Sequence, residues 1–327
     1  MATKKSPPVE EEGIARSFKR GVGAFLRSYA RNMGDGNKAE EALNRLRRFV
    51  QEGDGFEYTI HISTYQYDAR MDVSDELRTL YYFSRWKAVQ GALGGGQDSD
   101  WLHWWKMSVA YGYWFTRVVR FKQEIFIAKN NSTKWMYLQD TVAFLGDCLA
   151  LGWLDWAVDL ARVVNWGLDH TAFGDQDEEH HRRIQYFVFR LVADWQGWPA
   201  RTYPDFVRDI PAYNDLLGNW RDPDPAAITP ALIAACDRHT HQARYSENRE
   251  YDLPDDGLTY DPFEILAVLR LRQLAGLENP VLDHPLMNTP LGKLHEPVPP
   301  VYTDELLEKV IEKMQQMFYP GLAERPT

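Results

Sequence analysis

Apolar residues recur every three or four positions along most of this 327-residue chain, with polar residues between them. That spacing puts the apolar side chains on one face of an α-helix, so it predicts a protein built mainly of amphipathic helices. The pattern is longest from residue 100 to about 128, where it predicts a central helix. Further helices are predicted at about 14–33, 38–51, 74–88, 135–151, 153–166 and 177–195, and others begin near 229, 262 and 303.

The helix predicted at 262–275 has the clearest boundary signals. Asp261 can cap a helix, Pro262 suits the first helical position, and Glu264 stands where a capping box places its acid. Gly276 predicts the left-handed residue that ends the helix. The residues between these ends are too apolar for a single exposed face, so we expect burial on more than one side.

Two stretches interrupt the helical pattern. Residues 56–68 alternate enough to predict one short strand or a strand pair, and the glycine-rich residues 91–99 predict a boundary or a mobile connection. We therefore expect a disordered tail at 1–13, an N-terminal helical region with a short strand at 14–95, and a helical domain at 96–327. The predicted fold class is all-α, with antiparallel helices packed as in a bundle and this one minor β element.

The composition suits a folded protein with a large core. Hydrophobic residues make up 44% of the chain, and we expect its two cysteines, Cys148 and Cys236, to be buried small apolar residues rather than a disulfide scaffold. No run of about 18 uncharged apolar residues occurs, and the first residues lack the apolar stretch of a signal peptide. We therefore expect a soluble cytoplasmic protein without a membrane span.

Charge is distributed unevenly along the sequence. The formal net charge is −10, yet residues 14–48 contain nine Lys or Arg and three acids, whereas residues 205–264 contain thirteen acids and five bases. The basic segment at 14–33 reads as an amphipathic helix docked on the body, with membrane-surface or polyanion contact as the alternative. Net acidity disfavours nucleic acid as the main ligand and favours a basic protein partner.

The common catalytic motifs are missing from the sequence. It has no GxGxxG after a strand, no GxxxxGK followed by Ser or Thr, no GxSxG and no HExxH, so nucleotide binding, serine hydrolysis and zincin-type proteolysis lose their usual support. The best metal candidates are two histidine pairs, His180 with His181 and His239 with His241. Neighbours one or two apart on a helix point in different directions, so neither pair forms a chelate alone. We assign no catalytic residue, no metal and no cofactor.

Residues 260–294 read as an apolar helix followed by LAGLENP and LDHPLMNTPL. This stretch, about a tenth of the chain, resembles the C-terminal domain of PoNi-type immunity proteins, which protect bacteria from nuclease toxins. In that family an acidic residue with an aromatic or proline neighbour opens a final apolar helix, a Gly-Leu turn ends it, and a D-x-P segment follows. The corresponding residues here are Tyr260, Glu264, Gly276, Leu277, Asp283 and Pro285.

The resemblance implies that the partner is a nuclease toxin, of the PD-(D/E)xK type, delivered by type VI secretion or another polymorphic system. Clusters of acids near aromatic residues could then imitate DNA phosphates opposite the cationic groove of the nuclease, which would speed association and enforce specificity. A merely solvated acidic face is the other interpretation. The candidate toxin-binding residues are Asp175, Asp177, Glu178, Glu179, Glu247, Glu250, Asp252, Asp255, Asp256, Trp198, Trp220 and Tyr251.

We therefore expect an immunity protein that binds a cognate secreted toxin and occludes its active site or substrate groove. Such a protein performs no catalysis and does not itself bind nucleic acid. Two alternatives remain from the sequence: a metal-dependent hydrolase with histidine and carboxylate ligands, and a helical adaptor whose partner is not a toxin.

Overall fold

The computed structural model describes residues 13–33, 37–53, 57–62, 65–94, 100–174, 182–244 and 251–322. Eleven α-helices within these residues confirm the predicted all-α fold. They are α1 (Val22–Met33), α2 (Asn37–Glu52), α3 (Val73–Leu93), α4 (Trp101–Ala128), α5 (Leu138–Leu151), α6 (Leu154–Asp169), α7 (Arg183–Trp195), α8 (Pro211–Asn219), α9 (Pro225–Gln242), α10 (Phe263–Leu274) and α11 (Glu305–Met317).

A two-stranded antiparallel hairpin, β1 (Glu57–Ile62) with β2 (Tyr65–Arg70), lies between α2 and α3 in the chain. The tail expected at 1–13 falls outside the described residues, apart from residue 13. The division expected near residue 95 stays a prediction. The helices before and after it, α3 and α4, pack against each other, and one cluster of buried apolar side chains includes residues from Ala15 to Leu322.

The centre of the core is α5. Its sequence, LQDTVAFLGDCLAL, is apolar on every side, which is typical of a helix enclosed by others. Helices α4, α6, α7 and α10 all pack against it. Both cysteines are buried and free, as the sequence predicts, with Cys148 on α5 itself.

Two glycines allow close helix packing around α5. A Cβ atom on Gly112 of α4 would overlap the ring of Phe144, and a Cβ on Gly146 of α5 would overlap the ring of Phe263. The two phenyl rings therefore lie directly on glycine backbone. These contacts fix the separation of α4 from α5 and of α5 from α10, because a protein interior has little free volume to absorb an extra methyl group.

The predicted helix at 262–275 is confirmed as α10, but its N-terminal cap is not. Asp261 and Glu264 are both fully buried and bind distant side chains, and Pro262 takes the capping position without a side-chain hydrogen bond. The predicted C-terminal end is correct. Gly276 has a φ of 72°, and the N–H of Leu277 donates to the carbonyl of Arg272 at 2.9 Å, as in a Schellman motif.

Three other predicted helix starts are wrong. The sequence predicts Ser74 as the cap of α3, but the cap is Asp72, whose side chain accepts from the N–H of Ser74 at 2.9 Å. Helix α9 begins at Pro225 behind the cap Asp224, so Pro230 lies inside the helix. The basic segment at 14–33 is split by Gly21, whose φ is 80°, into a 3-10 helix (Phe18–Arg20) and α1.

Buried ion pairs join helices that are far apart in the chain. Arg85 of α3 donates to Asp147 of α5 and to Asp261, and all three side chains are fully buried. A buried hydrogen bond also joins His239 of α9 to Glu264 of α10, with 2.7 Å between Nδ1 and Oε1. Within the described ranges, no helix is both long and apolar enough to span a membrane.

Candidate functional site

An open groove of about 1020 Å³ lies where α4, α6 and α7 meet the loop that follows α7. Four arginines and one aspartate contribute to its lining, together with several aromatic side chains. We call it the arginine groove. The residues that define it are Arg117, Arg120, Arg162, Trp166, Trp198 and Arg201.

The loop that forms one wall begins at a tight helix end. Gly197 adopts a φ of 63°, and the N–H of Trp198 donates to the carbonyl of Ala193 at 2.9 Å. A left-handed glycine followed by this bond ends α7 sharply. The chain then turns back, and the indole of Trp198 lies half-buried in the groove.

Arg201 ties this loop to the end of α6. Its guanidinium donates to Oδ1 of Asn165 at 2.9 Å and also forms an ion pair with Asp169. The Asp169 side chain is 51% exposed, so this ion pair lies at the surface of the groove. One arginine thus bridges two residues of α6 and links the loop to that helix.

Arg117 lies at the floor. Its Nη1 donates to both carboxylate oxygens of Asp159, at 3.0 and 3.1 Å, and its Nη2 donates to the carbonyl of Leu322 at 2.7 Å. The hydroxyl of Tyr113 donates to the same carboxylate at 2.6 Å. Arg117 is almost completely buried, so its role is to hold the C-terminal end of the described chain against α4 and α6.

Arg120, also on α4, is more accessible than Arg117. Its guanidinium carbon lies 4.8 Å from the ring centre of Trp166 and 4.9 Å from that of Phe121, which are cation–π distances. Burial lowers the pKa of Arg120; Glu124 opposes that effect and Arg117 adds to it. Arg120 remains a cation, but it has lost part of its hydration, so a second anion beside it would be favoured.

A further cation lies behind the aromatic wall. Arg190 of α7 is 5.6 Å from the ring centre of Tyr203, which lines the groove. Burial lowers the pKa of Arg190. Tyr203 opposes this effect, whereas the nearby cation Arg208 lowers the pKa further. Its buried Nη1 has no hydrogen-bond partner among the described residues. In and around the groove five arginines therefore stand against three acids, Glu124, Asp159 and Asp169, in a chain whose net charge is −10.

The structure places three of the predicted toxin-binding residues in the interior. Asp252 is buried in an ion pair with Arg238 at 2.9 Å, and the carbonyl of the buried Tyr251 accepts from Arg182 at 2.8 Å. Trp220 is also buried, and its Nε1 donates to Asp194 at 2.8 Å. For these three the prediction of a binding surface is wrong, because their polar groups already stabilise the fold.

The other predicted residues fall into three groups. Asp255 and Asp256 are partly exposed, and Oδ1 of Asp255 accepts from the N–H of Gly257 at 2.7 Å in a short 3-10 helix (Asp256–Leu258). Trp198 is the one that lines the arginine groove. Outside the described residues lie Asp175, Asp177, Glu178, Glu179, Glu247 and Glu250.

The histidines considered as metal ligands do not come together where the structure describes them. The ring of His239 lies between Glu264 and the carbonyl of Leu258, while His241 lies 2.9 Å from the carbonyl of Gly13. His180 and His181 are outside the described residues. In the part of the chain that is described, no three His, Cys, Asp or Glu side chains are grouped as metal ligands.

The arginines of the groove were missed from the sequence. The available signal was local: Arg117 and Arg120 are three apart on α4, and Arg162 and Trp166 are four apart on α6, so each pair shares a helix face. Nothing in the sequence shows that these two faces meet, because α4 and α6 are separated by all of α5.

Comparisons with family models, with curated proteins and with solved structures give no match to this chain.

Proposed function

We propose that this chain is an immunity protein that binds a cognate antibacterial toxin, a nuclease, and occludes its active site or substrate groove. The observation that supports the proposal is the arginine groove, in which guanidinium groups and indole rings share one open recess. Arginine and tryptophan are the residue types most enriched at the energetic centres of protein interfaces. The resemblance of residues 260–294 to PoNi-type immunity proteins favours the same class of function.

Neutralisation by occlusion requires binding alone. The loop carrying Trp198 is tied to α6 through Arg201, so the groove loses little conformational freedom when a partner enters it. The acids of residues 205–224, which follow this loop in the chain, would attract a cationic partner and speed its association. The toxin's own substrate is excluded while the complex persists.

Co-expression tests this proposal. The reading frame that lies beside the gene for this chain would be expressed in a sensitive bacterial host, alone and together with the chain. We expect the neighbouring frame alone to kill the host and the chain to restore growth. The two purified proteins should also co-elute from a size-exclusion column.

Two tryptophan variants provide a matched comparison. Trp198→Ala removes an indole of the groove and should weaken both rescue and co-elution, whereas Trp135→Ala removes a 45% exposed indole outside the groove and should preserve both. Failure of the wild-type chain to restore growth and to co-elute would overturn the proposal. Turnover of a substrate by the purified chain alone would instead support the metal-dependent hydrolase.

A further inference from the structure

The arginine groove has the opposite charge to the protein that contains it. Four arginines line it, and three of them pair with acids, Asp159, Glu124 and Asp169, so an excess of one cation remains although the whole chain carries −10. Helix dipoles do not account for this arrangement, because Arg120 and Arg162 lie in the interior of α4 and α6 and the dipole acts within the last turn. We therefore attribute the cationic recess of this acidic protein to the partner that binds there.

The arginines of the groove differ in how firmly they are held. Arg117 is fixed by the buried Asp159, whereas Arg201 binds Asn165 and the half-exposed Asp169. Arg120 pairs with Glu124, one turn along the same helix at 3.3 Å, and the Glu124 side chain is 50% exposed. Because the Glu124 carboxylate is half exposed, this pair within one helix is weak, and a carboxylate from a partner could replace Glu124 at little cost.

The acids at the groove favour a compact anionic group over an extended polyanion. Asp169 and Glu124 are both about half exposed, so a nucleic-acid backbone passing over them would meet two like charges. A single loop could place its carboxylate between Arg120 and Arg162 and avoid both. The volume of about 1020 Å³ is at the upper end of small-molecule pockets, which leaves room for the tip of a loop.

Acidic residues beside the groove also limit the kind of partner surface that fits it. Exposed Asp205 follows Tyr203 of the groove wall within two residues, and exposed Asp209 comes shortly after it. A surface with a positive recess beside acidic residues complements a negative cluster set in a positive surface. A metal-dependent nuclease has such a surface, because carboxylates hold its metal ions inside a cleft that attracts DNA phosphates.

Resting on the proposed function, we infer that the arginine groove receives the metal-binding carboxylates of the toxin. Arg120 and Arg162 pair with these carboxylates, and the rings of Trp166 and Trp198 cover the pairs from water. A partly desolvated charge pair is stronger than an exposed one, so this contact contributes specificity at the catalytic centre of the toxin. The toxin is then inhibited at the groups that its reaction needs.

The experiment measures the dissociation constant between the full-length chain and the toxin domain encoded beside it. Arg162→Glu should raise this constant about tenfold or more, and Arg162→Gln, which removes the charge with less change in shape, should raise it less. Arg47→Glu is the matched control. Arg47 is exposed on α2, which contributes no residue to the groove lining, so this variant should bind nearly as tightly as wild type.

A second set of measurements uses variants of the toxin. Replacing the metal-binding Asp and Glu of the toxin by Asn and Gln should weaken binding to the wild-type chain, and Arg162→Glu should then cause little additional loss, because the paired charge is gone. Equal affinity of wild-type and substituted toxin would overturn the inference and leave the immunity function intact. So would wild-type affinity in a folded Arg162→Glu variant.

Two further outcomes are also informative. If the co-encoded domain does not bind the wild-type chain at all, the proposed function fails and the inference fails with it. A short DNA duplex serves as the probe for a nucleic-acid ligand. If the duplex binds the wild-type chain but not the Arg162→Glu variant, the groove is a nucleic-acid site and the carboxylate assignment is wrong.

Discussion

Arg85 donates to the carboxylate of Asp261 inside the core, although 176 residues separate the two in the chain. The second carboxylate at this guanidinium is Asp147 of α5, so one cation joins α3, α5 and the start of α10. Arg85 also lies 4.5 Å from the ring centre of Trp105, which shields the cluster from solvent. Buried charges are tolerated only when they are paired in this way.

Arg85→Met should be severely destabilising. It leaves two buried carboxyl groups without their cation, and breaking a buried pair costs about 3–5 kcal/mol of unfolding free energy. Urea unfolding followed by far-UV circular dichroism measures this loss. Arg48→Met is the control, because Arg48 pairs with Glu52 on the surface of α2, and we expect a loss of about 0.5 kcal/mol or less. Similar losses in the two variants would contradict the importance of the buried cluster.

Asp261 should make stability depend on pH. Burial raises its pKa well above the ordinary value of 3.8, and the neighbouring Asp147 raises it further while Arg85 opposes both. A carboxyl group whose pKa is higher in the folded state binds a proton on folding. Its contribution to stability is therefore complete below its unfolded pKa and declines as pH rises through the window up to its folded pKa.

Asp261→Asn tests this sign directly, because the amide resembles the protonated acid and does not titrate. Relative to wild type, the variant should gain stability as pH rises above about 4. Urea unfolding of both proteins at a series of pH values measures the difference. Two curves that run parallel throughout this range would show that Asp261 does not titrate as inferred.

Gly112→Ala and Gly218→Ala should have opposite effects. A methyl group on Gly112 meets the ring of Phe144 between α4 and α5, and such overpacking costs about 1–3 kcal/mol. Gly218 lies in α8, and a Cβ there would have no heavy atom within 4 Å. Alanine at 218 should therefore raise stability by about 0.5–1 kcal/mol through helix propensity. Thermal unfolding of the pair tests both signs, and a shift in the same direction would refute the packing explanation.

The start of α9 can be tested at its cap. Asp224 accepts from the N–H of Ala226 at 2.9 Å, so Asp224→Ala should cost about 1 kcal/mol. Thr229, which would be the cap of the helix predicted to begin near 229, lies inside α9 and donates to the carbonyl of Pro225 at 2.8 Å. Thr229→Ala should cost less than Asp224→Ala in the same urea titration. The reverse order would place the helix start at Thr229 after all.

Neither cysteine should react with a thiol reagent while the protein is folded. Burial raises the pKa of Cys148, with Asp147 and Asp159 adding to it, and burial also raises the pKa of Cys236. The reactive thiolate is therefore disfavoured and inaccessible. Ellman's reagent should detect no thiol in native protein and both thiols in denaturant. Rapid release of colour from the native protein would show that α5 or α9 opens readily.

Local pattern accounts for the parts of the fold that were predicted correctly. The helical spacing at 100–128 and 262–275 specified α4 and α10, and Gly276 specified where α10 ends, because each signal depends on neighbouring residues. The same local reasoning failed at Asp261 and Glu264. Both have the right residue type and spacing for a helix start. In the fold, however, Asp261 binds Arg85 of α3 and Glu264 binds His239 of α9.

Such local reasoning could not identify most residues of the candidate site. Trp198 was identified by its residue type, but Trp220 and Tyr251 look equally suited to an interface and are buried. The cationic side chains were overlooked because the net charge of the chain is negative. Their clustering arises only when two helices separated in sequence are brought side by side.

The sequence by itself determined that the chain is helical and where most helices lie, since a helix follows from the spacing of apolar residues within a few turns. Tertiary structure alone decided which charged side chains are buried together and which line an open groove. The physical reason is that a charge can leave water only beside a partner, and the partners here are supplied by helices distant in the chain. The separation of two residues along the chain does not show whether their side chains meet in the fold.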